Sequence, residues 1–161
     1  MADFLQNGRK EQKQKYQYVE CGLDDVYLLN GYAERDTPYG KGVSVDNVDG
    51  LHDAIARQIC CCKPLMNGKE FRFLRKHLDM TQSEISVLLG CDPQTVARWE
   101  KGEVDIKGPV DKIIRLLALG YLDGKINPLE IVQHVLNIDE RINNDMMFKE
   151  SKGKWQLAMA A

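Results

Sequence analysis

Apolar residues follow two different rhythms along this chain. Between residues 16 and 45 they come in short bursts, Tyr16-Gln17-Tyr18-Val19, Val26-Tyr27-Leu28-Leu29 and Val43-Ser44-Val45. Turn formers separate the bursts: Gly22 with Asp24 and Asp25, then Asn30-Gly31, then Pro38, Gly40 and Gly42. Short runs bounded in this way predict a small antiparallel sheet. The period then lengthens. Leu51, Ile55 and Ile59 recur at helical spacing and predict a helix from about Leu51 to Cys61.

From Asn67 onward, helix signals crowd together. Asn67 with Glu70 and Thr81 with Glu84 have the spacing of capping boxes, and Met66 with Phe71 and Met80 with Ile85 can act as hydrophobic staples. Phe71, Leu74 and Leu78 mark the first of these helices, and Gly90 is placed to end the second. Asp92-Pro93 opens a third, which ends near Gly102. A fourth starts at Pro109 and is expected to end at Gly120. The break between the second and third is only a few residues long, which forces them to cross steeply, as in a helix-turn-helix. Asn127-Pro128 opens one more helix, with Ile131, Val132, Val135 and Leu136 on it.

The predicted fold is mainly α: a five-helix-type helix-turn-helix domain preceded by a small antiparallel β unit with one helix, α+β overall. Four segments are expected. Residues 1–15 form a flexible tail, 16–66 a β-rich domain with a helix, 67–120 the helix-turn-helix domain and 121–161 a helical extension. Met146, Met147, Phe148 and Trp155 are its packing candidates.

Composition narrows the function. With 22 basic and 24 acidic side chains in 161 residues, the chain is no bulk polyanion binder, and residues 68–120 carry a net charge of only +1. Binding to DNA must rest on local contacts. No apolar run is long enough to span a membrane, and the first fifteen residues lack a signal-peptide core. Cys21, Cys60, Cys61, Cys62 and Cys91 are odd in number and three are adjacent, a poor disulfide framework. Reduced thiols and a cytoplasmic location are expected, with no metal and no cofactor. His52, His77 and His134 are scattered outside any nucleophile motif, and His77 reads as a surface or phosphate-side residue. The chain is expected not to be an enzyme.

The helix opened by Pro93 carries the functional expectation. At about 100° per residue, Val96 and Trp99 point one way, while Gln94, Arg98 and Lys101 point the other. An outward Gln and Arg suit base edges: Gln can bond adenine in two places, and Arg can bond O6 and N7 of guanine. Lys101 can reach phosphate.

The residues Leu74-Arg75-Lys76, Thr81-Gln82-Ser83-Glu84-Ile85, Leu89-Gly90, Thr95-Val96 and Trp99-Glu100-Lys101-Gly102 resemble the Cro/repressor-type (XRE) helix-turn-helix family over residues 68–120. That resemblance implies that Gln82 meets a phosphate; Thr81 and Lys101 are expected on the phosphate side as well. It implies that Gln94, Thr95 and Arg98 read bases and that Arg75 pairs with Glu100 as scaffold. The β unit with Cys21-Gly22, the Tyr39-Gly40 to Val45 strand and the segment Ala97–Gly102 are similar to the MqsA (YgiT-type) antitoxins. Those bind zinc through two Cys-x-x-Cys pairs, which this chain lacks: Tyr18 stands where the first Cys of one pair would be, and no pair occurs around residues 50–55.

The expected function is a sequence-specific DNA-binding transcriptional regulator, a repressor acting as a homodimer on a palindromic operator in double-stranded DNA. The alternative is an antitoxin whose N-terminal domain neutralises a toxin partner and which represses its own operon.

Overall fold

The computed structural model describes residues 15–139 and 147–157. The expected tail lies outside these residues except for Lys15, whose ammonium sits 4.4 Å from the centre of the Tyr27 ring. Two short hairpins open the chain. β1 (Tyr16–Gln17) pairs antiparallel with β2 (Tyr27–Leu28), around a 3-10 turn at Val19–Cys21. β3 (Tyr32–Thr37) pairs antiparallel with β4 (Gly40–Val45), in a register that sets Tyr32 opposite Val45. The residues of β3 are mostly polar, so apolar patterning alone gives no sign of it. The strand is held by its ladder, with Tyr32 alone buried.

Helices follow: α1 (Val48–Cys62), α2 (Gly68–His77), α3 (Gln82–Leu89), α4 (Pro93–Glu100), α5 (Gly108–Leu122) and α6 (Pro128–Asp139). Local chemistry explains their starts. Asn67 with Glu70 and Thr81 with Glu84 form both halves of their capping boxes, and Asp92 accepts from the Thr95 amide. The architecture is mainly α, with five helices of a helix-turn-helix unit behind a small antiparallel β unit.

Two expectations are corrected. Gly120 does not end α5. The helix continues to Leu122, and the left-handed residue is Gly124 (φ 68°). Gly120 serves packing instead, since a Cβ there would lie 2.3 Å from the Ile126 side chain. The extension after residue 121 is not helical throughout. Beyond α6, Phe148–Ser151 (β5) and Lys154–Leu157 (β6) form an antiparallel hairpin. Lys152 and Gly153 both have positive φ, 53° and 77°, as a two-residue hairpin turn requires. Met147, Phe148 and Trp155 are exposed, so they do not pack as expected, and Met146 lies outside the described residues.

One continuous core runs through both halves. Tyr18, Leu28, Tyr32, Ile55 and Ile59 belong to the same buried cluster as Phe71, Leu74, Ile85, Val96, Trp99 and Ile114. Polar groups tie the halves as well. Arg115 on α5 holds Asp111 in a bidentate pair (2.9 and 3.0 Å) and donates to the Ile59 and Cys60 carbonyls, which end α1. Lys63 bridges Asp25 of the β unit to Glu70, the buried capping residue of α2.

The tightest approach lies where α2 starts against the end of α4. A Cβ on Gly68 would fall 2.1 Å from the Trp99 carbonyl oxygen, a backbone atom with no room to move. Gly68→Ala is therefore expected to destabilise the protein by about 1–3 kcal/mol, the usual cost of overpacking. Urea denaturation of the two proteins measures it, and a wild-type midpoint for the variant would contradict this packing.

Candidate nucleic-acid interface

α3 and α4 are joined by Gly90-Cys91-Asp92. Gly90 adopts the left-handed conformation (φ 64°), and its amide closes onto the end of α3. This turn sets α4 across α3. Val96 is fully buried and Trp99 nearly so, with the Trp99 ring edge-on to Phe71 at 5.9 Å. Anchoring those two side chains leaves the opposite side of α4 in solvent. Gln94, Arg98 and Lys101 are all exposed there, and Thr95 is half-buried.

The end of α4 is fastened by an ionic network. Arg75 Nε donates to Glu100 Oε1 at 2.5 Å and Arg75 Nη2 to Glu100 Oε2 at 3.1 Å, while Arg75 Nη1 donates to the Met80 carbonyl at 2.7 Å. Glu100 Oε2 also accepts from Gln82 Nε2 at 3.0 Å. The structure thus brings together Arg75, Glu100 and Gln82, from the ends of three helices. Sequence reasoning did not foresee that the Gln82 amide would be committed to Glu100. One amide hydrogen of Gln82 remains for another acceptor, because a side-chain amide has two.

Thr81 and Gln82 stand at the start of α3, where unpaired backbone amides and the helix dipole favour an anion. The Thr81 hydroxyl oxygen accepts from the Glu84 amide at 3.1 Å, so its own hydrogen is free to donate elsewhere. Thr95 differs. Its hydroxyl donates to Asp92 Oδ2 at 2.8 Å and its amide to Oδ1 at 2.8 Å, so it serves the cap of α4 first. These donors hold the Asp92 carboxyl below its ordinary range.

Arg98 has a neighbour that the sequence reading missed. Glu103 Oε2 lies 3.6 Å from Arg98 Nε, in an exposed pair. Such pairs are weak, about 0–1 kcal/mol, so the guanidinium can exchange this partner for another. Lys107, just before α5, borders the same concave surface as Thr95 and Arg98. The signal available for it was a lysine immediately preceding the Gly108-Pro109 helix start.

The remaining chemistry lies elsewhere. Cys21, Cys60 and Cys91 have thiols pushed upward by burial, Cys60 to about 11, which keeps them protonated. Cys61 and Cys62 are exposed. Among the described residues, no group of three or more His, Cys, Asp or Glu could hold a metal, and no helix is long and apolar enough to cross a membrane. His77 is not a surface residue, because its ring is enclosed by Phe73 and Tyr121.

Two outcomes follow from this geometry. Arg75→Ala strands the Glu100 carboxylate, and chemical denaturation should show a loss of roughly 3–5 kcal/mol, the usual cost of breaking a buried pair. Asp92 titrates below its unfolded value, so its cap is fully present above the ordinary carboxylate range, near about pH 4, and is lost as pH falls through the folded value. The stability gap between wild type and Asp92→Ala should therefore be open at neutral pH and close in acid, followed by urea midpoints across pH. A gap independent of pH would contradict the charged cap.

Comparison with known proteins agrees with this geometry. Residues 71–110, which run from within α2 to the start of α5, match the family described as Helix-turn-helix. No curated protein and no solved structure matches the chain. That family is a DNA-binding regulatory domain and not a catalytic one, so the matched segment supports a DNA-binding regulator of the XRE kind.

Proposed function

We propose that this protein is a transcriptional repressor in the cytoplasm that binds a palindromic operator as a homodimer, with α4 in the major groove. The observation that carries the reading is the pairing of a buried Val96–Trp99 side with an exposed Gln94–Arg98 side on one short helix. In this reading Gln94 and Arg98 read bases, with Thr95 contributing its methyl group and hydroxyl oxygen at the edge. Thr81, Gln82 and Lys101 hold phosphates, joined by Lys107.

Two copies are needed, because recognition helices must reach major grooves about 34–36 Å apart. The solvent side of α5 supports a self-association surface: Leu116 is 67% exposed and Ile113, one turn away, is 39% exposed. A second reading, an antitoxin that also represses its own operon, draws support from the β unit. Val19, Tyr27 and Leu29 are large, apolar and exposed there. Co-purification with the product of a neighbouring reading frame tests it, and repeated recovery of this chain alone counts against it.

Arg98→Ala is expected to weaken operator binding by about 1–3 kcal/mol and to relax the preference at one base pair. Gln82→Ala should lower affinity evenly across sequences. Fluorescence anisotropy on operator and scrambled duplexes separates the two. An equal loss on both duplexes for Arg98→Ala would remove it from base reading.

A further inference from the structure

A groove of about 870 Å³ runs between α1 and α2 and opens beside the end of α4. Small-molecule sites occupy roughly 300–1,000 Å³. The chemistry of this groove is divided between its walls. On the side of α2 and α4 stand Arg72, Lys76 and Lys101, all exposed and without an ion pair among the described residues. On the side of α1 stand Asp49 and Asp53, with Glu20 of the β unit on the same groove, while Glu100 at the α4 end is already held by Arg75.

An aromatic row lies between the walls. His52 meets Phe73 edge-on at 5.6 Å, Phe73 stacks on His77 at 6.1 Å with planes 5° apart, and His77 meets Tyr121 edge-on at 6.1 Å. His77 Nε2 is buried without a hydrogen-bond partner. Asp53 Oδ1 is 3.0 Å away, but it is out of line for a bond. The contact nevertheless sets one carboxylate of the α1 wall against the aromatic row.

We propose that this groove binds a nucleoside monophosphate, and that the bound ligand draws Lys101 away from DNA. The phosphate fits the basic wall, where the planar Arg72 guanidinium can donate two parallel bonds and the two lysines supply charge. The ribose hydroxyls are donors and meet the carboxylates of Asp49 and Asp53. The base is a flat ring and lies against Tyr121 and His52, the members of the row that solvent reaches. A bare phosphate would use only one wall and be repelled by the other. A continuous nucleic-acid strand would set its next phosphate against Asp49 and Asp53, so a single nucleotide suits the groove better than a polymer. The coupling to DNA rests on the regulator reading given above, whereas the binding itself does not.

Isothermal titration of the full chain with AMP, GMP, CMP and UMP, each against inorganic phosphate and the matching nucleoside, tests the site. At least one monophosphate should bind one-to-one and at least tenfold more tightly than phosphate or its nucleoside. The Arg72→Ala/Lys76→Ala double variant should lose tenfold or more of that affinity with an unchanged thermal melt. Absence of binding by all four, equal binding of phosphate, or an unaffected double variant would each overturn the site. At saturating ligand, affinity for operator DNA should fall at least tenfold, and an unchanged value would overturn the coupling. Failure of the ligand-free protein to bind any DNA would instead sink the regulator reading and leave the nucleotide result standing.

Discussion

Glu100 ends α4 with a carboxylate that accepts from Arg75 on α2 and from Gln82 at the start of α3. These contacts join three helices that would otherwise meet only through side-chain packing. The pair is nearly sealed from water: Arg75 and Glu100 side chains are 10% and 5% exposed. A buried ion pair contributes little net stability compared with an apolar substitute, because both charges lose their hydration. Its value here is geometric. Charges held in one arrangement fix the angle of α4 against α2 and α3, and that angle decides which side of α4 faces outward.

The same economy governs the join between the two halves. Arg115 is buried, yet each of its nitrogens is used, on Asp111 and on the carbonyls of Ile59 and Cys60. The end of α1 is thereby satisfied by α5, and Lys63 adds a link from the β unit to the cap of α2. The N-terminal half is thus packed onto the helix-turn-helix unit through a shared core and through polar groups that need each other.

Much of the α-helical half was legible in the sequence because its signals are local. Capping boxes at Asn67 and Thr81, the Asp92-Pro93 start and Gly90 each act within a few residues, and each element formed where they stand. What escaped depended on distant partners or on turns. β3 carries Glu34, Arg35 and Asp36, and only its pairing with β4 makes it a strand. Gly120 has the composition of a helix stop, but its missing side chain accommodates Ile126, a contact invisible from local pattern. The β5–β6 hairpin, expected as part of a helical extension, turns on the left-handed backbone of Lys152 and Gly153 and on cross-strand pairing that apolar patterning does not register. At the interface, the inward and outward sides of α4 followed from periodicity. The commitment of Gln82 to Glu100 and of Thr95 to Asp92 did not, since both are three-dimensional choices among several partners.

Selection of bound sites from a pool of random duplexes tests the central claim most directly. An outward-facing α4 carried by a symmetric pair of chains predicts enrichment of an inverted repeat whose half-sites are centred one helical turn apart. Enrichment of no sequence, or of sites that an Arg98→Ala/Gln94→Ala protein selects equally well, would contradict the account.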